Sequence, residues 1–313
     1  MTLIRWTQEF PSHPLLQGSV LTIGNFDGLH MGHQHIIAAT VSQAAEIRLP
    51  SVALTFNPHP SVILAPHRPI SLLMNLDEKL IMLDRLGIDV GWALAFTPSI
   101  AEMPPERFME ALVSAVLPES IHVGEGFRFG HRREGTSEFM KTWGQTHGVR
   151  VITYPLLQVG REPVSSSRIR ALLKEGNVIE ATSLLGRPYR LSGTVIRGVG
   201  RGRHLGFPTA NLQTDEQLLP LSGVYITGVS SHLWSGEQLG LTNIGTQPTF
   251  HGGSLAVETH CPHASGDWYK TPLHIDFYHR LRGEQKFNSK DELQVQIQKD
   301  IDQGVHWWNQ CKL

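Results

Sequence analysis

Val20-Leu21-Thr22-Ile23-Gly24-Asn25-Phe26-Asp27-Gly28-Leu29-His30-Met31-Gly32-His33 carries a short apolar run straight into a glycine-rich turn, and a helical pattern follows over 33–47. A strand feeding a helix through such a turn opens a βαβ unit. Gly24 and Gly28 flank Asp27 and permit a tight turn, while Gly32 lets a ligand approach the backbone. His33 opens the helix, where exposed N–H groups and the dipole favour an anion. His30 lies one turn earlier, so both rings are placed to face one phosphate. That arrangement suits nucleotidyl transfer, because imidazole donors stabilise charge on an α-phosphate and a departing pyrophosphate without a covalent intermediate. Two other readings stay open at this point. The histidines are capping or surface residues, or Asp27, His30, His33 and His35 form a metal cluster, though their spacing fits no zinc pattern.

Outward from this turn the rhythm continues. Strand patterns at 51–56, 90–96, 121–123 and 149–153 alternate with helical ones at 76–86, 106–116 and 137–146. Apolar strands without polar alternation belong to a parallel sheet covered on both faces. Residues 1–186 are therefore read as a doubly wound, Rossmann-like α/β domain with its chemistry in loops at the carboxyl ends of the strands. Short helices are expected at 166–173 and 178–185. Beyond Gly186 the strand patterns 189–196, 223–229, 239–244, 255–260 and 273–278 succeed one another with turn residues and no helices between them. Residues 187–313 thus read as a small antiparallel barrel, with a closing helix at 289–301 capped by Ser289 and Glu292.

Composition sets the outer limits. A chain of 313 residues is long for one core and comfortable for two domains. Its formal net charge of −1 gives no global field for nucleic acid or an anionic membrane, so anions must be gripped locally. Cys261 and Cys311 are too few for a disulfide framework. The N-terminus lacks a basic start followed by an apolar run, and no segment approaches the ~20 apolar residues of a membrane span. The expectation is a soluble cytoplasmic enzyme, with Trp307 and Trp308 as packing residues.

Arg197-Gly198-Val199-Gly200-Arg201-Gly202-Arg203-His204-Leu205-Gly206-Phe207-Pro208-Thr209-Ala210-Asn211 is the second decisive stretch. A basic, glycine-rich segment wraps N–H groups and guanidinium charges around polyphosphate. The Gly-Lys-Ser/Thr ending of a P-loop is missing, and a solvated turn is the plainer reading. Thr209 and Asn211, two apart, share a side if extended and offer the hard oxygens that suit Mg²⁺ shared with ATP. Glu258 is a candidate general base for a hydroxyl nucleophile.

These motifs carry a resemblance. His30-Met31-Gly32-His33 matches the His-x-Gly-His of the nucleotidyltransferase superfamily. Thr55-Phe56-Asn57-Pro58-His59-Pro60 and Gly124-Glu125-Gly126-Phe127-Arg128-Phe129-Gly130 resemble the adenylyltransferase module of bacterial bifunctional FAD synthetases. Ser165-Ser166-Ser167-Arg168-Ile169-Arg170 is similar to their Ser-Ser-Thr-x-x-Arg segment, which holds ATP phosphates. The resemblance implies that Gly24, Phe26, Asp27, Gly32, Asn57, Phe127, Arg128, Ser166, Ser167 and Arg170 bind ATP or FMN, with His30 and His33 serving adenylyl transfer. Gly206-Phe207-Pro208-Thr209-Ala210-Asn211, Gly223-Val224-Tyr225, Asn243-Ile244-Gly245 with Pro248-Thr249-Phe250, Glu258-Thr259-His260 and the run from Leu281 to Phe287 resemble the flavokinase domain. That implies a six-stranded barrel plus helix in which Gly198, Arg201, Arg203, Gly206, Phe207, Pro208 and Arg282 bind ATP or flavin. It also implies that Thr209 and Asn211 bind Mg·ATP and that Glu258 activates the ribityl 5′-hydroxyl of riboflavin.

The chain departs from these patterns at Gly126, where Asp or Asn is usual, and at Asn57, commonly acidic. Ser167 replaces Thr, Gln247 replaces Arg, and Lys270 stands where Gly is common. The expected function is phosphorylation of riboflavin to FMN followed by adenylylation of FMN to FAD. The alternative is a riboflavin kinase with a weakened adenylyltransferase half; a flavin- or RNA-binding regulator on a dead scaffold is a third reading. Mg²⁺ is the expected metal and ATP the co-substrate. The expected partners are riboflavin, FMN and ATP, without nucleic acid or membrane, in a monomer or weak homo-oligomer.

Overall fold

The computed structural model describes residues 2–6, 10, 13–68, 70–198, 200, 202, 205–214, 217–246 and 255–311. Arg201, Arg203 and Gln247 lie outside the described residues, as do Val199, His204 and the run from Pro248 to Phe250. The chain divides into two compact units, Met1–Ser166 and Ser167–Leu313.

In the first unit, six parallel strands form one sheet: β1 (Thr2–Trp6), β2 (Val20–Ile23), β3 (Ser51–Asn57), β4 (Val90–Ala95), β5 (Ser120–Gly124) and β6 (Arg150–Tyr154). Their spatial order is β1-β4-β3-β2-β5-β6. Strand β2 therefore sits where the order reverses, with β3 on one side and β5 on the other. Ligands of doubly wound sheets bind at such a switch point, outside the carboxyl ends of the strands. The helices α1 (Met31–Ile47), α2 (Leu76–Arg85), α3 (Pro105–Val116) and α4 (Ser137–Thr146) cover the sheet. Leu21, Ile23, Val52, Leu54, Trp92 and Leu94 fill one face together with Phe108 and Leu112 of α3 and Met140 of α4. Smaller Ala53 points the other way, into a cluster with Ile37 of α1 and Leu80 and Leu83 of α2. The period-two alternation of large and small residues thus lets α1 and α2 lie close to the face beside the β2 turn.

The second unit opens with α5 (Ser166–Lys174) and α6 (Val178–Leu185), earlier than the change of texture at Gly186. The helix-opening Ser166 itself is counted with the first unit. Six antiparallel strands then close a barrel: β7 (Tyr189–Ile196), β8 (Ala210–Thr214), β9 (Gly223–Ser230), β10 (Gln238–Thr246), β11 (Leu255–His260) and β12 (Pro272–Arg282). The order around the barrel is β7-β8-β11-β10-β9-β12. Tyr189, Tyr225 and Phe277 are large side chains fully buried in this unit. Helix α7 (Lys290–Cys311) closes the chain and runs beyond the expected end at 301. Its Ile297, Ile301, Val305 and Trp308 pack on a cluster that includes Ile226, Leu239 and Leu241. A Cβ at Gly304 would meet Leu241 at 3.0 Å, so the bareness of this glycine lets the helix lie against the barrel. Ser289 Oγ accepts from Glu292 N at 3.1 Å, while the Glu292 carboxylate reaches back to Asn288 N at 2.9 Å, one residue earlier than a standard capping box.

Candidate active sites

The turn after β2 owes its shape to the core as much as to glycine. Phe26 and Leu29 adopt left-handed backbone angles, φ 49° and 42°, with both side chains buried. Such angles are unfavourable for residues with a Cβ and persist only where packing holds them. Gly24 must lack a Cβ, because one would lie 2.8 Å from the Phe26 ring. His30 is the N-cap of α1, its Nδ1 accepting from His33 N at 3.4 Å. Its ring stacks on His33 with centroids 3.7 Å apart. A Cβ at Gly32 would come within 3.3 Å of the His30 ring, so this glycine makes room for the histidine. The capping and phosphate-facing readings of His30 are therefore compatible.

Among the described residues His33 Nδ1 is buried without a hydrogen-bond partner. Burial holds the His33 pKa well below the ordinary imidazole value, and the charges of His30 and Lys79 push it the same way. A ring kept neutral in this manner retains one N–H to donate and one lone pair. Asp27 is buried, its Oδ1 accepting from Leu73 N at 2.9 Å. Ser166 Oγ donates to the Asp27 carbonyl at 2.9 Å, which ties this serine to the turn. Asn57 ends β3 and is exposed. Phe127 and exposed Arg128 follow β5, the Arg128 guanidinium donating to the Phe127 carbonyl. Gly126 has an ordinary backbone, and a Cβ there would touch only Leu156 at 3.5 Å. Ser167 and Arg170 belong to the second unit, the first exposed and the second half-buried.

Motif reading passed over Lys79. It is 6% exposed, and its Nζ donates to Asn25 O at 2.7 Å and Thr55 Oγ1 at 3.2 Å. The signal was there: Leu76, Lys79, Leu80 and Leu83 fall on one helical stripe, where a lysine is out of place. A second buried network escaped notice. His122 Nδ1 lies 2.8 Å from Tyr154 Oη, and its Nε2 lies 2.8 Å from Gln43 Oε1 and 3.3 Å from Ser120 Oγ. Burial lowers its pKa to about 4, with Arg150 adding to the effect.

In the barrel, the site is set by register. Asn211 of β8 pairs with Glu258 of β11, which pairs on its other side with Asn243 of β10. Thr209 Oγ1 donates toward Glu258 Oε2 at 3.4 Å. Gly198 lies directly over this row, for a Cβ there would fall 2.1 Å from Asn211 Nδ2. Gly202 is close-packed too; its Cβ would meet Phe207 O at 2.4 Å and Thr209 Oγ1 at 3.1 Å. Gly206 has φ 86°, the left-handed region that suits glycine. Phe207 packs on the α7 cluster, and His260 Nδ1 donates to the Pro208 carbonyl at 2.8 Å. A hydroxyl, an amide oxygen and a carboxylate gathered under a glycine cradle form a hard-oxygen set that fits a small divalent cation carried by a polyphosphate. Among the described residues no three His, Cys, Asp or Glu side chains assemble to hold a metal unaided.

Arg282 faces α7. Its Nε and Nη2 donate to the Asp300 carboxylate at 3.0 and 2.7 Å, and its Nη1 to Gly283 O at 3.1 Å. Lys270 has φ 64°, which accounts for glycine being the commoner residue there.

A family model described as FAD synthetase matches residues 12–168, and one described as riboflavin kinase matches residues 185–308. The bifunctional riboflavin kinase/FMN adenylyltransferase of Haemophilus influenzae is 34% identical over 99% of this chain and 100% of its own length. The protein of the same description from Escherichia coli K12 is 34% identical over 96% of both chains. A crystal structure described as a macrolide-efflux protein from Streptococcus pneumoniae superposes with a TM-score of 0.88 at 30% identity, covering 98% of this chain and 100% of that one. No helix among the described residues is long and apolar enough to cross a membrane. A nucleotidyltransferase-like parallel sheet and a flavokinase barrel, matched by relatives along nearly the whole length, place the chain in the bifunctional riboflavin kinase/FMN adenylyltransferase family.

Proposed function

We infer that this chain makes both flavin cofactors: riboflavin and ATP give FMN and ADP, then FMN and a second ATP give FAD and pyrophosphate. Matches to both family models favour this over a kinase-only chain. We propose residues 187–313 for the first step and 1–186 for the second. The observation that supports the assignment most directly is the cross-strand pairing of Asn211 with Glu258 beside the Thr209 hydroxyl.

In the kinase step Glu258 takes the proton of the ribityl 5′-hydroxyl as its oxygen bonds to the γ-phosphorus, and the bond to the bridging oxygen of ADP breaks. Thr209 and Asn211 would hold Mg²⁺, which when bound neutralises phosphate charge. The backbones of Gly198, Gly206, Phe207 and Pro208, with Arg201 and Arg203, wrap the nucleotide and flavin. Arg282 contributes by keeping its segment on Asp300. In the second step an FMN phosphate oxygen attacks the α-phosphorus of ATP and pyrophosphate departs. Neutral His33, with His30 and the N–H groups at the start of α1, donates to the charge that develops. Gly24, Phe26, Asp27, Gly32, Asn57, Phe127 and Arg128 shape the pocket, and Ser166, Ser167 and Arg170 grip phosphates. We propose a cytoplasmic enzyme, monomeric or weakly self-associating, that works on small molecules without nucleic acid or membrane; the near-neutral net charge supports this.

The test is chromatographic separation of flavins after incubation with ATP and Mg²⁺. Wild type forms FMN and FAD from riboflavin. His33→Ala lowers FAD formation by about 100-fold or more and leaves FMN formation intact, while Glu258→Gln does the reverse when FMN is supplied. Loss of both steps from either substitution in a folded chain would overturn the two-site assignment.

A further inference from the structure

We propose that Lys79 is a positioning residue for adenylyl transfer: its buried ammonium pins the carbonyl of Asn25 to strand β3, and with it the turn that presents Asp27, His30 and His33. The inference rests on the reading of the first unit as the half that transfers the adenylyl group.

Lysine is almost never buried without a reason, because removing its charge from water is costly. Here the stem rises from the apolar stripe of α2, and the ammonium ends on the backbone of the turn, 2.7 Å from Asn25 O. Thr55 Oγ1 closes a triangle, donating to the same carbonyl at 3.1 Å and accepting from Lys79 at 3.2 Å. Two donors from two different elements thus converge on one carbonyl in the residue before left-handed Phe26. A backbone angle that is unfavourable in isolation needs such anchoring. The titratable groups that bear on Lys79 are Asp27 in the turn and His33 on α1; β3 offers only the Thr55 hydroxyl. Burial brings the lysine down to about 8 against the pull of Asp27, so it gives up its charge just above neutrality. Its charge in turn opposes a proton on His33. Anchor and electrostatic neighbour are therefore one group.

The experiment measures FAD formation from FMN and ATP across pH in the full chain, with FMN formation from riboflavin in the same preparation as an internal control. Wild-type kcat for FAD formation is expected to show an alkaline limb near pH 8 that FMN formation lacks. Lys79→Arg keeps a charge at all accessible pH and moves the limb upward by more than about one unit. Lys79→Gln lowers kcat for FAD formation by roughly 30- to 100-fold, with KM for ATP and FMN changed less than about threefold. A folded Lys79→Gln chain within about twofold of wild-type kcat would overturn the proposal. So would an alkaline limb that stays in place in Lys79→Arg. Should the Gln variant fail to fold by thermal melt, the wild-type profile decides, and a profile flat through pH 8 overturns it. Wild type that makes no FAD at all refutes the reading of the first unit instead.

Discussion

The two proposed sites of this chain are held in shape by different means. In the first unit the turn after β2 is tied by side chains to backbone: Lys79 and Thr55 to the Asn25 carbonyl, Asp27 to Leu73 N, His30 to His33 N. In the barrel the corresponding groups are aligned by strand register, with Asn211, Glu258 and Asn243 side by side across three strands. Burial also shifts protonation in both interiors. Burial depresses the bases His33, Lys79 and His122 and raises the acid Tyr154 in the first unit, and in the barrel it raises the acids Tyr225 and Cys261.

The comparison is broken most sharply at Gly198. Gly198→Ala pushes a methyl into the Asn211 amide, and FMN formation is expected to fall by about 100-fold while FAD formation from supplied FMN is unchanged. Parallel assays of the two steps check this.

Next in size is the response to pH. His122 has a folded pKa of about 4 against 6.5, so the unfolded state binds its proton first. Its contribution is complete above about pH 6.5 and lost as pH falls through about 4. Cys261 has a folded pKa of about 12 against 9.0, so its contribution is complete below about 9 and lost as pH rises through about 12. Brief exposure near pH 4, then return to neutrality, is expected to remove FAD formation before FMN formation. Exposure near pH 11 is expected to reverse that order, which residual activities measure.

Smaller effects sharpen the contrast. Gly126 has space for a side chain beside Leu156 and needs no special backbone. Gly126→Asp is expected to leave the melting temperature in place and raise kcat/KM for FAD formation by about threefold. Smallest is Lys270→Gly, which relieves a left-handed backbone and is expected to stabilise the barrel by about 0.5–1 kcal/mol in a thermal melt, with both activities unchanged.

Both fold classes were legible from apolar runs because period-two and 3.6-residue patterns are written locally. Helices Ser137–Thr146 and Val178–Leu185 and strands Tyr189–Ile196 and Leu255–His260 fall where the patterns put them. What escaped depended on partners distant in sequence. Strand β1 is short and interrupted by Arg5, and it is a strand because β4 offers it an edge. Strand β8 carries Asn211, Gln213 and Thr214, a polar composition that makes sense only beside the site it lines. His30, Thr209 and Glu258, residues of the proposed sites, stand in motifs whose spacing is local. Lys79 and His122 carry no such mark, since their partners Asn25, Thr55, Gln43 and Tyr154 are distant in sequence.

The left-handed Phe26 has one more consequence. A protein engineer who wished to graft the His-x-Gly-His turn onto another parallel sheet would fail by copying the polar residues alone. Phe26 and Leu29 are wedges whose sockets lie among Ile37, Ala53, Met74 and Leu80. The smallest transplantable piece is therefore the loop together with its socket, and the boundary of that piece runs through buried hydrophobic residues.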